Sequence, residues 1–267
     1  MEIKYFATTW GLEDLEYEEQ FRKISQGGYD GVETGRIKFS EINQVRELLE
    51  KYELLLICQQ WTEGEKPRDH IESFIKQAVV NSKLGPVLIN SHTGKDHFES
   101  FENSQILQEI SNYEKSESIP ITHETHRGRF SFASHITSEF LDDLPELKLT
   151  ADFSHWCCVA ESYLEDQQVN LEKAMEHCYH IHSRIGNTQS SQVNDPRSGE
   201  WEKETKIFLF WWKNIIEQGN SIGGIFPITC EFGPAPYMPT HPHSGQPLCS
   251  QWEANQYMKD LLKKNLP

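Results

Sequence analysis

Four short apolar segments of the chain end in side chains that can bind a metal ion or transfer a proton. The motifs at their ends are His-Glu-Thr-His at 123–126, Ala-Asp-Phe-Ser-His at 151–155, His-Ile-His-Ser-Arg at 180–184 and Cys-Glu-Phe-Gly at 230–233. Such segments are typical of buried strands. Because the carboxyl ends of parallel strands share one rim of a barrel, we expect four of these side chains to converge. They are Glu124, Asp152, His182 and Glu231.

Three carboxylates and one imidazole inside a barrel form a charged group that needs compensation. An isolated buried charge costs more than the marginal stability of a domain, and neighbouring carboxylates repel each other and take up protons. A divalent cation would cancel most of this charge. Ligation by oxygens and one imidazole favours Mn²⁺, Mg²⁺ or Co²⁺, and Zn²⁺ is also compatible. Taken singly, each residue is more often a capping, surface or core residue, but their recurrence at corresponding places favours a metal site.

Further side chains near the same strand ends are candidates for contact with a substrate. Residues two apart in a strand point the same way, so His126 accompanies Glu124, and Arg184 accompanies His182, on the interior face. His92 follows the fourth predicted strand and is expected at the same mouth. Three tryptophans follow strands directly and either stack on the apolar face of a sugar or pack in the core. They are Trp10, Trp61 and Trp156.

Strand-like and helix-like segments alternate along the whole chain, which favours a parallel sheet with crossover helices. The predicted strands are 3–8, 31–34, 54–58, 86–90, 120–125, 147–153, 179–185 and 226–232. The predicted helices are 16–25, 41–52, 69–84, 103–115, 133–140, 171–177, 200–217 and 252–264. Eight such units predict an α/β fold, a single (β/α)₈ TIM barrel domain of residues 1–267. An open doubly wound sheet is the alternative, but no Gly-x-Gly-x-x-Gly turn follows the first strand.

The composition excludes several classes of partner. With 41 acidic and 25 basic residues, the formal charge of -16 repels phosphate backbones and anionic membranes. No apolar run approaches the roughly 18 residues that a membrane span needs. The amino-terminal segment has no basic head followed by an apolar region, so we expect a cytoplasmic protein. The six cysteines contain no Cys-x-x-Cys pair, and we expect them to be reduced core residues.

The strand-end motifs together resemble those of the xylose-isomerase-like TIM barrels. The likeness lies in His-Glu-Thr-His-Arg-Gly-Arg at 123–129, Asp-Phe-Ser-His-Trp at 152–156, His-Ile-His-Ser-Arg at 180–184 and Cys-Glu-Phe-Gly-Pro at 230–234. Residues 28–33, Gly-Tyr-Asp-Gly-Val-Glu, also resemble the entry to the second strand of that group. The superfamily holds sugar isomerases, ketose 3-epimerases and inosose dehydratases, with endonuclease IV as a more distant branch. The order Glu, Asp, His, Glu is the specific part of the match.

The resemblance implies roles for individual residues. The four metal ligands of the family fall on Glu124, Asp152, His182 and Glu231. The substrate-contacting histidine of the epimerases falls on His155, and Arg184 takes the place of a basic residue that often follows the ligand histidine by two.

These observations predict a metal-dependent sugar isomerase or epimerase that works through an enediolate, with Glu124 and Glu231 as the acid and base. A sugar or polyol is the expected partner, contacted by Trp10, His92 and Arg127, and a homo-oligomer is compatible with the sequence. A phosphorylated substrate would need more cations, and the candidates are Lys95, Arg127, Arg129 and Arg197. The alternatives are a dehydratase of a keto-polyol and a non-catalytic sugar-binding barrel. A phosphodiesterase of the endonuclease IV type fits the acidic surface poorly.

Overall fold

Eight parallel strands form a closed barrel in a computed structural model, which describes residues 1–267. The strands follow one another in chain order, and β1 closes the barrel by pairing with β8. Their bounds are β1 Glu2–Thr8, β2 Gly31–Thr34, β3 Leu55–Trp61, β4 Leu88–His92, β5 Ile121–Glu124, β6 Leu149–Ala151, β7 Cys178–His182 and β8 Ile225–Cys230. The (β/α)₈ fold class predicted from the alternating segments is confirmed.

Nine helices cover the outside of the barrel and shield its apolar outer face from water. They are α1 Tyr17–Gln26, α2 Ile42–Lys51, α3 Pro67–Ser82, α4 Ser100–Glu117, α5 Ser134–Asp143, α6 Phe153–Ala160, α7 Gln168–Glu176, α8 Glu202–Glu217 and α9 Gln251–Asn265. Short 3₁₀ turns at Phe39–Glu41 and Gly199–Trp201 precede α2 and α8. No helix has the length and apolar composition needed to cross a membrane.

The largest difference from the predicted elements lies after β6. The strand predicted over 147–153 ends at Ala151, and Phe153 begins α6, a helix that the prediction lacked. The reason is local, because Asp152 accepts a hydrogen bond from the backbone N–H of Ser154 and so caps the helix. His155 therefore lies in the first turn of a helix.

The interior of the barrel is apolar at one end and polar at the other. Phe6, Ile57, Leu88 and Ile222 form a small buried cluster inside the strands. Leu88 begins β4 and Ile222 precedes β8, so two members of this cluster lie at the amino ends of the strands. Buried polar residues occupy the carboxyl ends, among them Glu33, Asn90, Glu124 and His182. The polar end is where a catalytic site of this architecture is expected.

All six cysteines are free thiols, and five of them are buried. Burial in apolar surroundings raises the pKa of the thiols Cys58, Cys157, Cys178 and Cys230. The five buried cysteines therefore act as small core residues, as expected, whereas Cys158 is half-buried and departs from that expectation.

Candidate functional site

The four predicted ligands converge at the carboxyl-terminal rim of the barrel. Glu124 ends β5, His182 ends β7, and Asp152 and Glu231 directly follow β6 and β8. One ligand atom from each of these residues lies within 4.8 Å of the others, and all four side chains are buried. Four adjacent strands therefore bring three carboxylates and one imidazole around a single point.

His182 lies between two groups of carboxylates and presents a different ring nitrogen to each. Its Nδ1 atom lies 2.9 Å from Oε2 of Glu231 and 3.4 Å from Oε2 of Glu124. Its Nε2 atom lies 3.1 Å from each carboxylate oxygen of Glu33, a residue of β2. Burial disfavours the charged imidazole, but the facing carboxylates outweigh it and raise the pKa of His182 well above its usual value. If a cation replaces the proton on Nδ1, the N–H group at Nε2 donates to Glu33. The lone pair of Nδ1 is then free to bind the cation.

The side chains at this rim fit a divalent cation. His182 Nδ1 is buried and has no hydrogen-bond partner, although two carboxylates face it. A buried polar atom without a partner costs free energy, so its retention indicates a function. Three carboxylates and one imidazole form a donor set suited to Mn²⁺, Mg²⁺ or Co²⁺. The residues that would hold the cation are Glu124, Asp152, His182 and Glu231.

Arg184 brings a positive charge into the same cluster. The strand predicted over 179–185 ends at His182, but the Arg184 side chain still reaches the interior and forms an ion pair with Oδ2 of Asp152. Its Nη2 atom lies 3.6 Å from Oε2 of Glu231 and 3.0 Å from Nε2 of His155. Burial raises the pKa of Asp152 to about 6, because it outweighs the opposing effect of Arg184. A carboxylate oxygen has two lone pairs, so Asp152 can pair with Arg184 and still ligate a cation.

Glu124 and Glu231, the two carboxylates predicted to transfer protons, have different hydrogen-bond partners. All three partners of Glu124 meet its Oε2 atom, namely Nε2 of His92 at 2.7 Å, Nδ2 of Asn90 at 3.0 Å and Nδ1 of His182 at 3.4 Å. No protein group hydrogen-bonds to Oε1 of Glu124. Burial raises the pKa of Glu124, but the neighbouring His92 and His182 outweigh it and hold the value well below its usual range. Glu231 accepts a hydrogen bond from Nε2 of Gln59 at 3.2 Å through its Oε1 atom.

Three histidines form a row beside Glu124. The ring centroid of His126 lies 4.6 Å from that of His92 and 3.9 Å from that of His155. Burial lowers the pKa of His126 to about 3 and that of His155 well below its usual value, so both rings are neutral. The row contains the three histidines that the sequence predicted as substrate contacts.

A cavity of about 650 Å³ opens onto the site. Glu124, Glu231, Arg184, His92 and His126 line it, as does Trp10. His155 does not line the cavity, since it is fully buried beside His126 and Arg184. Exposed Arg127 also lies outside the lining and stacks on the ring of Tyr237 at 5.1 Å.

The three tryptophans considered for the pocket wall divide between the two roles left open. Trp10 and Trp61 line the cavity. Trp156 is fully buried, stacks on Phe153 and donates a hydrogen bond to the backbone oxygen of Ser131. Trp156 therefore packs in the core.

Sequence reasoning missed several residues of the site. Glu33 was visible only as the last residue of the 28–33 motif, and Gln59 and Asn90 only as polar residues at strand ends. Each is linked to a predicted ligand by hydrogen bonds across the barrel, which no local pattern shows. Tyr237, in the loop after β8, lies with its ring centroid 4.9 Å from the Arg184 guanidinium. It follows Pro234 and Pro236. The proline-rich composition of this loop was the one sequence feature that could have indicated a place near the site.

Comparisons with known proteins identify the fold. No family model matches the chain, and no curated protein matches it by sequence. Among solved structures, D-allulose 3-epimerase from Methylomonas sp. is similar with a TM-score of 0.70 and 14% identity, covering 99% of this chain and 98% of that one. The probable 3-DHS dehydratase of petrobactin synthesis from Bacillus anthracis has a TM-score of 0.65 and 13% identity, covering 98% and 99%.

Endonuclease IV from Thermus thermophilus is also similar, with a TM-score of 0.63, 12% identity and coverage of 98% of this chain and 99% of that one. At such low identities a structural likeness establishes the fold, while the chemistry depends on the site. The chain shares its (β/α)₈ fold with these three structures, in line with the resemblance of its strand-end motifs.

Proposed function

We propose that this protein is a divalent-metal-dependent isomerase or epimerase of a sugar or sugar-derived polyol. The observation that carries the proposal is the pair Glu124 and Glu231, which line one cavity beside the same ligand nitrogen of His182. Glu124 ends β5 and Glu231 follows β8, and these strands are separated by two strands around the ring. Two carboxylates on different walls of one cavity can act on the two faces of a substrate carbon.

A cation bound by the four ligands would polarise the substrate carbonyl and make the adjacent C–H more acidic. Glu124 can then accept that proton at Oε1, the oxygen that no protein group occupies, while Asn90 and His92 hold Oε2 in place. This removal leaves an enediolate. Glu231 takes up a proton from solvent and delivers it to the opposite face, which inverts the carbon, and Glu124 releases its proton to solvent. Gln59 holds the Glu231 carboxylate in position. Transfer of the same proton to the neighbouring carbon would give an aldose–ketose isomerisation instead.

Arg184 and the histidine row are proposed to orient the substrate. The Arg184 guanidinium is held between Asp152 and Tyr237, and it lines the cavity, so it can donate to a substrate oxygen without changing conformation. His92 and His126 line the same wall and can bind hydroxyl groups. His155 lies behind them. Its Nε2 atom accepts a hydrogen bond from Nη2 of Arg184 at 3.0 Å, and it is proposed to position that arginine.

The cavity favours a sugar without a phosphate group. Its outer wall carries three carboxylates, Glu13, Asp14 and Glu16. Of the four cations considered for a phosphate, only Arg129 lines the cavity, and it already donates to the backbone oxygens of Thr62 and Gly94. Arg197 is paired with Asp195 and Glu253. Trp10 and Trp61 supply apolar surface for the face of a sugar ring.

A heavy-water experiment tests the proposal. The Mn²⁺-loaded protein is incubated in D₂O with a panel of ketoses, and the products are examined by mass spectrometry and NMR. We expect deuterium at a carbon next to the carbonyl together with the epimer or isomer. The Glu231→Gln variant should lose turnover by about 100- to 10,000-fold, the usual contribution of a general acid or base.

The same experiment separates the alternatives. Loss of water from the substrate would indicate a dehydratase, the activity in the name of the Bacillus anthracis neighbour. Sugar binding without exchange would indicate a non-catalytic barrel. Full turnover by Glu231→Gln would contradict the role proposed for Glu231. Cleavage of nucleic acid is disfavoured by the formal charge of -16.

A further inference from the structure

One side of the cavity is built by the loop after β1, the start of α1 and the end of β2, and we call it the β1–β2 side. Its polar lining residues from the first of these segments are Glu13, Asp14, Glu16, Tyr17 and Gln20. None of the predicted metal ligands comes from these elements, since all four belong to β5 to β8 or follow them directly. The cavity therefore has room for a part of the substrate that does not react.

Gln20 presents an unused hydrogen-bond acceptor on the β1–β2 side. Its Nε2 atom donates to the backbone oxygen of Leu15 at 2.7 Å, and this contact fixes which end of the amide carries the oxygen. The Oε1 atom has no hydrogen-bond partner, and the residue is only 6% exposed. A buried acceptor without a partner costs free energy, so its retention at a cavity wall indicates that a bound molecule supplies the donor.

Tyr17 is also oriented as an acceptor. Its hydroxyl donates to Oε2 of Glu41 at 3.1 Å, so the hydrogen is already in use. The phenol oxygen keeps its lone pairs for a donor on a bound molecule. Gln20 and Tyr17 are three residues apart at the start of α1, on one face of the helix. They therefore offer acceptors from the same wall of the cavity.

The β1–β2 side also carries negative charge that no basic side chain balances. Three exposed carboxylates line it, and none of them forms an ion pair, namely Glu13, Asp14 and Glu16. Arg36 lines the cavity as well, but it pairs with Glu63 at 2.9 Å and stacks on the ring of Trp61 at 4.7 Å. The arginine is thus held by other partners and leaves the three carboxylates free to attract a cation.

We propose that the β1–β2 side binds a protonated amine, so that the substrate is an amino sugar or an amine-bearing polyol. The inference rests on the proposed function for the reaction, and on Tyr17, Gln20 and the three carboxylates for the substrate class. An ammonium group donates three hydrogen bonds and accepts none, which matches a wall of acceptors. A neutral hydroxyl gains less there, because only a charged donor is attracted by the carboxylates.

Two polyols without a carbonyl group test the proposal independently of turnover. D-Glucamine and D-glucitol differ only in an ammonium group that replaces one hydroxyl, and neither can form an enediolate. In calorimetric titrations with Mn²⁺ present, we expect the dissociation constant of D-glucamine to be about 10- to 100-fold lower, the usual effect of hydrogen bonds to a charged group. The difference should shrink as salt is added, because the three carboxylates are exposed to solvent.

Charge variants locate the bound amine. The triple variant Glu13→Gln, Asp14→Asn, Glu16→Gln keeps the shape of each side chain but removes the charge, and it should lose most of the preference for D-glucamine. The matched control replaces by glutamine three exposed carboxylates that lie outside the cavity and form no ion pair, namely Glu47, Glu50 and Glu109. It removes the same total charge and should keep the full preference, which separates a local effect from the general acidity of the protein.

Gln20→Met removes the buried acceptor while keeping the length of the side chain. It should raise the dissociation constant of D-glucamine by about 10-fold and leave that of D-glucitol unchanged. Circular dichroism checks that the variant is folded. If it is not, the triple variant at the exposed carboxylates decides the question.

Several results would overturn the amine site. They are absent binding of D-glucamine, equal dissociation constants for the two polyols, and a preference that survives in the triple variant. Deuterium exchange into neutral ketoses together with any of these results would leave the proposed function standing. A preference for D-glucamine that the triple variant loses, without exchange into any ketose or amino ketose, would count against the proposed function only.

Discussion

At the scale of single residues, Glu33 is the side chain that would determine how His182 meets a cation. The two residues are 149 positions apart in the chain, and Nε2 of His182 contacts both oxygens of Glu33. The hydroxyl of Thr229 donates to Glu33 at 2.5 Å, and Asn90 donates to it at 3.0 Å. Burial raises the pKa of Glu33, but the His182 and His180 imidazoles outweigh this and lower it to about 2. An ionised Glu33 keeps the hydrogen of His182 on Nε2.

Glu33→Gln should weaken cation binding, because an amide does not hold the Nε2–H tautomer of His182. We expect a dissociation constant for Mn²⁺ that is about 10- to 100-fold higher, the usual effect of losing the hydrogen-bond partner of a ligand histidine. Calorimetric titration measures it, and ¹⁵N NMR of His182 reports which nitrogen carries the hydrogen. Glu204→Gln is the matched control, since Glu204 is also buried but contacts Tyr163, away from the site. An unchanged dissociation constant in Glu33→Gln would show that Glu33 has no role in the metal site.

Asp152 and Arg184 form a buried ion pair. We expect the loss of one partner to lower the free energy of unfolding more than the loss of both. Asp152→Ala leaves the Arg184 guanidinium buried with Glu231, at 3.6 Å, as its only remaining carboxylate partner. The free energy of unfolding of the metal-free protein should fall by about 3 kcal/mol, and replacing Arg184 by Met in the same background should restore part of it. Denaturant unfolding of the single and double variants measures both values. A double variant less stable than Asp152→Ala would contradict this account.

At the scale of elements, the strand ends were predictable from sequence and the geometry around them was not. Each of the four predicted ligands follows an apolar segment, namely Glu124, Asp152, His182 and Glu231. Parallel pairing in a barrel brings the carboxyl ends of the strands to one rim, so these positions come together whatever the exact bounds of each strand. The start of α6 was missed because Phe153 extends the apolar run of β6. The hydrogen bond from the Ser154 N–H to Asp152, which caps α6, forms only once the chain turns after β6. The partners of Glu33 and Gln59 lie on distant strands, so only the closed barrel reveals them.

A substitution at Gly31 tests how tightly β2 packs against the barrel interior. It begins β2, and a Cβ atom there would lie 2.3 Å from Cε1 of Phe6 and 2.8 Å from the backbone oxygen of Leu55. Gly31→Ala should therefore reduce the free energy of unfolding by about 1–3 kcal/mol, the usual cost of overpacking a core. Gly199→Ala is the matched control, because no atom lies within 4 Å of the added Cβ. Equal stability of the two variants in denaturant unfolding would show that Phe6 moves aside freely.

At the scale of the whole molecule, a cation at the rim would connect half of the barrel. Its ligands come from the ends of β5, β6, β7 and β8, so opening that half of the sheet releases the ion. A ligand that binds only the folded state stabilises it by about 2.7 kcal/mol at 100 times its dissociation constant. For a chain of this size we expect the Tm to rise by about 5–10 °C with Mn²⁺ and to fall back with a chelator. Thermal unfolding of Asp152→Asn, which lacks one ligand, should show a much smaller rise.

The most direct test of the metal site is an anomalous difference map from crystals grown with Mn²⁺. The account predicts a peak at the carboxyl-terminal rim, about 2.0–2.2 Å from Nδ1 of His182 and from one oxygen each of Glu124, Asp152 and Glu231. A map with no peak among these four side chains, or with manganese bound only elsewhere on the molecule, would contradict it.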